Sequence, residues 1–270
     1  MSSPITFLSD FGLQDDFVGT CHGVIASIVP DARVIDVTHG IPPQHVLQGA
    51  IVLANTLPYM PDGVHLAVVD PGVGSGRRAL ALRDRQGRLH VGPDNGLLLP
   101  AADRFGGVTE AHELANPDYA LQPVSRTFHG RDLFSPAAAH LAAGVPLAEL
   151  GPPIDPAELV RVEIPEPEVG QNRVRAVVLV VDRFGNVALN LRPEHLAHVE
   201  LGPGTRVELT SRGDRFYAVA ARTFADAPHG SLILYEDSYG SLALAVSRGS
   251  AAQLLRIEEG GEIVLDLAAL

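Results

Sequence analysis

The sequence predicts an α/β N-terminal domain, a mostly parallel sheet with flanking helices, followed by a smaller all-β domain of barrel or sandwich type. Three observations carry this expectation. Apolar runs of strand length alternate with segments of helical spacing through the first half of the chain. Each of the early strand-like runs closes in polar residues followed by Gly or Pro. Past about residue 172 the helical spacing gives way to short β-rich runs, separated by Gly and Asp at hairpin intervals.

The elements follow in order. Ile5 to Leu8 is a run of strand formers that ends at Ser9-Asp10. Phe17 to Val29 sets Phe17, Cys21, Val24, Ile25 and Ile28 at helical spacing, and Pro30 closes it. Arg33 to Val37 reads as a second strand, ending at Thr38-His39-Gly40. Gln44 to Leu57 reads as a helix with Val46, Ala50 and Leu53 on one face, and Val64 to Val69 as a third strand running into Asp70-Pro71-Gly72. A βαβαβ order makes a parallel sheet covered on both faces. Its strand tips, Ser9-Asp10-Phe11-Gly12, Thr38-His39-Gly40 and Asp70-Pro71-Gly72, then converge on one edge, where open α/β sheets bind ligands. The plainer reading is that Asp and Gly end strands well.

The composition shifts at Pro152 to Gln171. The expected division is an α/β domain over 1–160, a Pro- and Glu-bearing linker over 161–172 and a β domain over 173–270. Short strands are expected at Val174 to Val181, Val187 to Leu191, Arg206 to Leu209, Phe216 to Ala221, Ser231 to Tyr235, Ser241 to Val246 and Ile263 to Leu267.

Composition narrows the chemistry. Apolar residues at 46% and charged residues at 19% suit a folded globule. A net charge of −12 argues against nucleic acid, which needs a basic patch. No apolar run reaches the roughly 18 to 20 residues of a membrane span, and the N-terminus does not read as a signal peptide. The single Cys21 allows no internal disulfide, consistent with a cytoplasmic protein. All 20 basic residues are Arg, which excludes a Schiff-base lysine and the lysine of a phosphate-binding P-loop.

Two stretches are dense in reactive groups. Asp70-Pro71-Gly72-Val73-Gly74-Ser75-Gly76-Arg77-Arg78 has glycines spaced unlike a dinucleotide loop, and the strand-like Ala79 to Arg83 follows it. Without a helix N-terminus the phosphate reading loses its basis. The loop instead lets backbone approach something closely while presenting Asp70 and Arg77, which a hairpin could also use as a structural ion pair. Ser125-Arg126-Thr127-Phe128-His129-Gly130-Arg131-Asp132 precedes a helix expected from about Asp132, with Asp132 as its N-cap. His129, just outside that helix start, would be held toward its neutral form by the helix dipole and could accept a proton, or could be a structural hydrogen-bonder. No metal-binding spacing stands out among the 11 histidines, although His39, His129 and Asp70 could meet around zinc. No nucleophilic serine elbow is present.

Five motifs resemble one family, in order, from about residue 5 to about residue 252. They are Ser9-Asp10-Phe11-Gly12 with Asp15, Val69-Asp70-Pro71-Gly72-Val73-Gly74 with Arg77-Arg78, Pro93-Asp94-Asn95-Gly96, Thr127-Phe128-His129-Gly130-Arg131-Asp132, and Asp182-Arg183-Phe184-Gly185-Asn186. The pattern resembles the S-adenosylmethionine hydroxide adenosyltransferases, relatives of fluorinase and chlorinase enzymes. The resemblance implies that Asp10 holds the ribose hydroxyls and that Asp15 lies near the methionine amino group. It puts Phe184, Asn186 and Phe224 around the adenine and Ser238 at the methionine end, and counts Phe128 and Asp182 among the substrate-binding residues. It also implies a homotrimer with ligand between one subunit's N-terminal domain and the next subunit's C-terminal domain.

Asp70, Arg77 and His129 match the set carried by the hydroxide-using branch. The fluorinase branch replaces that Asp and His, has a serine at the position of Gly130, and carries an insertion this sequence lacks. Gln44 stands where fluorinase has tryptophan, and Tyr239 where it has arginine. The implied reaction is hydrolysis of S-adenosylmethionine to adenosine and methionine by water at the ribose C5′, without cofactor or metal. Arg77 would favour the charge developing on oxygen, and Asp70 or His129 would take the proton. A halide-using enzyme, a phosphate-ester hydrolase and a non-catalytic S-adenosylmethionine or adenosine sensor are the competing readings.

Overall fold

The first strand, β1 (Ile5–Ser9), is buried along its whole length. That is the mark of a strand covered on both faces, and it explains the continuous apolar run. In a computed structural model describing residues 2–199 and 201–267, the chain forms two units that divide between Glu163 and Ile164.

In the first unit β1 is followed by α1 (Phe17–Ile28), β2 (Val34–Thr38), α2 (Val46–Thr56), β3 (Val64–Val68), β4 (Ala79–Asp84), β5 (Leu89–Pro93), α3 (Leu99–Arg104), β6 (Val108–Glu113) and α4 (Ser135–Ala142). The sheet order is β2-β1-β3-β5-β4-β6. The first four strands run parallel, whereas β4 is antiparallel to both β5 and β6. The sheet is therefore mixed. The four residues between β4 and β5 can only make a hairpin, since a parallel crossover needs about a dozen. Asp84 organises that turn, its Oδ1 accepting the N–H groups of Gln86 and Arg88.

Alternate residues of the buried strands serve the two faces. Ile5, Phe7, Val64, Leu66 and Val68 pack with α1 and α4. Leu8, Ala67 and Val69 pack with α2 and α3. The parallel register aligns Ser9 with Val68 and Leu8 with Thr38, so all three expected polar tips emerge at the same edge.

The second unit contains β7 (Glu168–Val169), β8 (Arg173–Val181), β9 (Val187–Leu189), β10 (Arg206–Ser211), β11 (Asp214–Ala220), β12 (Leu232–Glu236), β13 (Leu242–Val246), α5 (Ala251–Leu255) and β14 (Glu262–Asp266). Pairing runs β14-β10-β11-β12-β13-β9-β8, and β14 pairs back onto β8. Seven strands thus close a barrel, which removes the exposed edges a sandwich would leave. Val174, Ala176 and Val178 of β8 alternate into its core, together with Leu255 of α5. Within 161–172, Glu168–Val169 adds a short strand to the outside of β8.

Candidate active site

The tip of β3 carries Asp70, and a tight loop returns the chain with Arg77 facing it. Arg77 donates from Nε to Asp70 Oδ1 at 3.1 Å and from Nη2 to Asp70 Oδ2. Both side chains are nearly buried, at 6% and 7% exposure. Nη2 also lies 3.0 Å from His129 Nδ1, and the guanidinium carbon stands 5.3 Å from the Phe134 ring centre. The three reactive groups expected from sequence are thus one contiguous set, with the cation between carboxylate and imidazole. A guanidinium has only donors, so Nδ1 is the acceptor and neutral His129 carries its proton on Nε2.

Burial holds the His129 pKa down, and the Arg77 charge lowers it further. The neutral form is the one expected from sequence, but the leading causes are burial and Arg77. The chain beyond Gly130 also differs from expectation. Residues Gly130–Phe134 form a single π turn before α4, and Asp132 is not an N-cap. Its carboxylate reaches backward instead, accepting Ser125 N at 2.7 Å and a two-point contact from Arg131. Burial opposes the charge on Asp132, but the Arg131 contact and the Ser125 N–H overcome it and hold the carboxyl below its usual range. Such π turns are frequent at functional sites. This one folds the His129 segment over the sheet edge.

The glycine-rich loop finds its role here. Gly74, at φ +76°, packs against the carbonyl of Arg126, so that a Cβ would collide with backbone. The close approach anticipated from sequence is thus to the irregular segment leading into His129, and it locks the Arg77 loop to the His129 loop.

Asp10 sits beside this set, its N–H donating to Val68 O. Its Oδ2 accepts the N–H of Gln44 at 2.8 Å. Gln44 adopts φ +68°, a left-handed conformation that delays the start of α2 and aims its N–H at the carboxylate. Burial raises the Asp10 pKa, the Gln44 N–H opposes this, and the nearby Asp70 charge adds to it. Asp15 lies in the exposed bend before α1. Phe128 closes an aromatic group with Phe11 and Phe17, at ring separations of 5.9 and 5.2 Å.

Sequence reasoning did not single out the backbone of Gln44 and Arg126, nor Asn95, whose amide donates to Val69 O at 2.8 Å directly behind Asp70. The Pro93-Asp94-Asn95-Gly96 motif was the available signal for Asn95. His39 does not join His129 and Asp70. It bonds Ser9 Oγ and faces Asp36 on the far side of the β1 tip.

In the barrel, Asp182 organises the β8–β9 turn. Its Oδ1 accepts the N–H groups of Phe184 and Asn186, and its Oδ2 accepts the Asn186 side-chain amide at 2.7 Å. This leaves the Phe184 ring 72% exposed. Phe224 begins a one-turn helix closed by Thr223 and Asp226, and its ring lies 5.1 Å from that of Tyr235. Ser238 is exposed in a turn that Asp237 holds by accepting the Tyr239 and Ser241 N–H groups. Tyr235 was not anticipated from sequence. Burial, then Asp237 and Asp182, raise its hydroxyl to about 12. The loops bearing Asp182, Phe224 and Ser238 are thus all within electrostatic or ring contact of its neighbourhood.

Fold and site define an α/β-plus-barrel protein with a carboxylate–guanidinium–imidazole set at the sheet edge. Residues 5–151 match the N-terminal domain, and residues 176–264 the C-terminal domain, of the SAM hydroxide adenosyltransferases. The chain belongs to that family. It is 50% identical over 262 residues to an (R)-S-adenosyl-L-methionine hydrolase of Salinispora arenicola, covering 96% of each chain. It is 31% identical to a fluorinase of Nocardia brasiliensis, over 95% of this chain and 94% of that one. A solved structure of an uncharacterized conserved protein from Thermotoga maritima superposes with a TM-score of 0.90 at 36% identity, covering 97% of this chain and 99% of that one.

Proposed function

We propose that the protein hydrolyses S-adenosyl-L-methionine to adenosine and L-methionine by in-line attack of water at the ribose C5′. The observation that carries this reading is the Arg77 guanidinium seated between Asp70 and His129. The oxygen of water attacks C5′, the C5′–S bond breaks, and its electron pair stays on sulfur. Methionine leaves as a neutral thioether, so no general acid is needed. Water, with a pKa of about 15.7, is what requires activation.

The geometry divides that task. Neutral His129 has its Nδ1 lone pair engaged by Arg77, which leaves Nε2–H to orient the water by donating to its oxygen. Asp70, although paired with Arg77, keeps free lone pairs on both carboxylate oxygens and is the proton acceptor. The Arg77 charge favours negative charge developing on the attacking oxygen. The proton passes from water to Asp70 and then to solvent.

Asp10 takes the ribose hydroxyls, Asp15 lies near the methionine amino group, and Phe128 is among the residues that bind substrate. Phe184, Asn186 and Phe224 hold the adenine, with Asp182 shaping their loop and Ser238 at the methionine end. The assembly in this reading is a homotrimer, with each ligand between the N-terminal unit of one subunit and the barrel of the next. The reaction uses no cofactor, and the protein is cytoplasmic. Among the described residues no helix is long and apolar enough to cross a membrane.

The test is turnover of S-adenosyl-L-methionine in halide-free 18O-water, read by mass spectrometry. Adenosine carrying 18O at O5′ together with free methionine is the expected product. Formation of 5′-haloadenosine only on adding chloride or fluoride would favour the halide-using reading. Stoichiometric binding without product would favour the sensor.

A further inference from the structure

The opposite flank of the β1 tip carries a second cluster that the hydrolysis does not use. His22 of α1 places Nε2 2.9 Å from Asp36 Oδ1, and His39, just past β2, places Nε2 3.1 Å from the same oxygen. Among the described residues, this is the one group of three metal-ligating side chains whose ligand atoms all lie within 4.8 Å of one another. The Phe7 ring packs against both imidazoles, at 4.7 Å from His39 and 6.1 Å from His22.

Hydrogen bonding alone does not account for the cluster. His39 is 4% exposed, and its Nε2 makes no hydrogen bond although Asp36 Oδ1 is close enough to accept one. A buried ring nitrogen left unpaired is costly. The other nitrogen, Nδ1, is held by Ser9 Oγ at 2.8 Å, which in turn accepts the Phe11 N–H. A histidine fixed through one ring nitrogen, with the other unpaired beside a carboxylate and a second imidazole, is the usual outer-shell arrangement of a metal ligand.

We propose that His22, Asp36 and His39 bind one divalent first-row transition cation, with zinc as the reference ion. Two imidazoles and one carboxylate suit zinc, cobalt or nickel, whereas magnesium and calcium require oxygen ligands. A tetrahedral site with bonds of about 2.0 to 2.1 Å has ligand atoms about 3.3 Å apart. The two imidazole–carboxylate separations, 2.9 and 3.1 Å, need to open by only a few tenths of an ångström. His22 and Asp36 are about one-third to two-fifths exposed, so solvent reaches the site and water takes the fourth position. The ion would staple α1 to β2 directly beneath the Gly12 N–H to His39 O bond that shapes the Asp10 loop.

The test uses the full-length protein stripped with chelator. Cobalt(II) is titrated for the visible bands of a low-symmetry four-coordinate site, and zinc affinity is read by competition with a chromophoric chelator. The expected result is one ion per chain, at least tenfold weaker binding in His22→Ala and Asp36→Asn, and a thermal midpoint that zinc raises in the wild type alone. Absence of binding, or binding unchanged in both variants, overturns the site. Should either variant fail to fold, histidine-selective NMR of the wild type replaces it: zinc must perturb the His22 and His39 rings before the other nine. These readouts are independent of turnover, so they stand or fall apart from the hydrolysis.

Discussion

Arg77 Nη2 donates to Nδ1 of His129 across 3.0 Å, which commits that imidazole to the neutral tautomer protonated on Nε2. Adding a proton to Nδ1 would set two donors against each other beside a permanent cation. Burial first, then Arg77, accordingly lowers the His129 pKa. The expected pH profile of kcat/KM is flat at neutral pH and falls on the acid side, with a midpoint below the ordinary histidine value of about 6.5. His129→Gln should lose about 10²-fold in kcat and displace that acid limb. A wild-type midpoint above about 6.5, or a limb unchanged in His129→Gln, would refute the assignment.

Asp70 and Arg77 interact through two parallel contacts in a nearly dry setting. Arg77→Lys keeps the charge and loses the planar fork, so it should not rescue activity. Asp70→Asn keeps the shape and loses the proton acceptor. Each is expected to lower kcat by about 10² to 10⁴-fold while KM for S-adenosyl-L-methionine stays within a few-fold. Steady-state kinetics on the purified variants separates the two parameters, and a loss confined to KM would reassign both residues to substrate binding.

The sequence was readable where periodicity and burial coincide. β1 and β3 are buried throughout because both faces are covered, with only Thr6, Ser9 and His65 interrupting their apolar residues, and the βαβαβ order follows from them. β5 carries a weaker signal because it offers only Leu89 and Val91 around His90, which is buried and paired to Asp84 across the hairpin, before closing in Gly92-Pro93. β6 is a polar edge strand with the same problem. At the site, the reactive types and their strand-tip placement were legible. What positions them was not, because a left-handed Gln44 and a π turn have no periodic signature. Asp132 shows the limit most plainly: an N-capping residue type before a helix, yet its carboxylate serves a backbone N–H seven residues upstream.

Gly74 should tolerate no side chain. Its φ of +76° is strained for an L-residue, and the Arg126 carbonyl occupies the space of a Cβ. Gly74→Ala must either shift the loop or push Arg126 away, and both movements separate Arg77 from His129. The expected outcome is a loss of about 1 to 3 kcal/mol in stability, with kcat falling more steeply than the melting temperature implies. Gly76→Ala, with open space around its Cβ, is the matched control and should stay near wild type in stability. Thermal denaturation and kcat measured on both variants decide it.

Phe184 is held out from the barrel by a loop whose three N–H contacts converge on the Asp182 carboxylate. If the ring stacks on adenine, Phe184→Ala should raise KM by the roughly 1 to 3 kcal/mol typical of a base–aromatic stack, with kcat little changed. Asp182→Ala should produce a similar rise without touching the base, because the loop loses its organising acceptor. Equal KM for wild type and both variants would place the adenine elsewhere.

His65 lies fully buried on β3, its Nδ1 paired with Thr6 and its Nε2 without a partner. Burial, with His90 and Arg88 nearby, depresses its pKa to about 2. The sign follows from proton linkage. The unfolded chain takes up a proton near pH 6.5 and the folded one does not, so unfolding binds a proton and acid favours it. Stability contributed by this group is complete above about pH 6.5. It falls by about 1.4 kcal/mol for each pH unit below that, continuing toward pH 2. Replacing the ring by an apolar side chain of similar size, His65→Leu, removes the titration, so the variant should lose less stability than wild type between pH 6.5 and 5 even if it starts lower. Urea unfolding at several pH values measures the slope directly; parallel slopes for the two proteins would show that His65 is not the group being protonated.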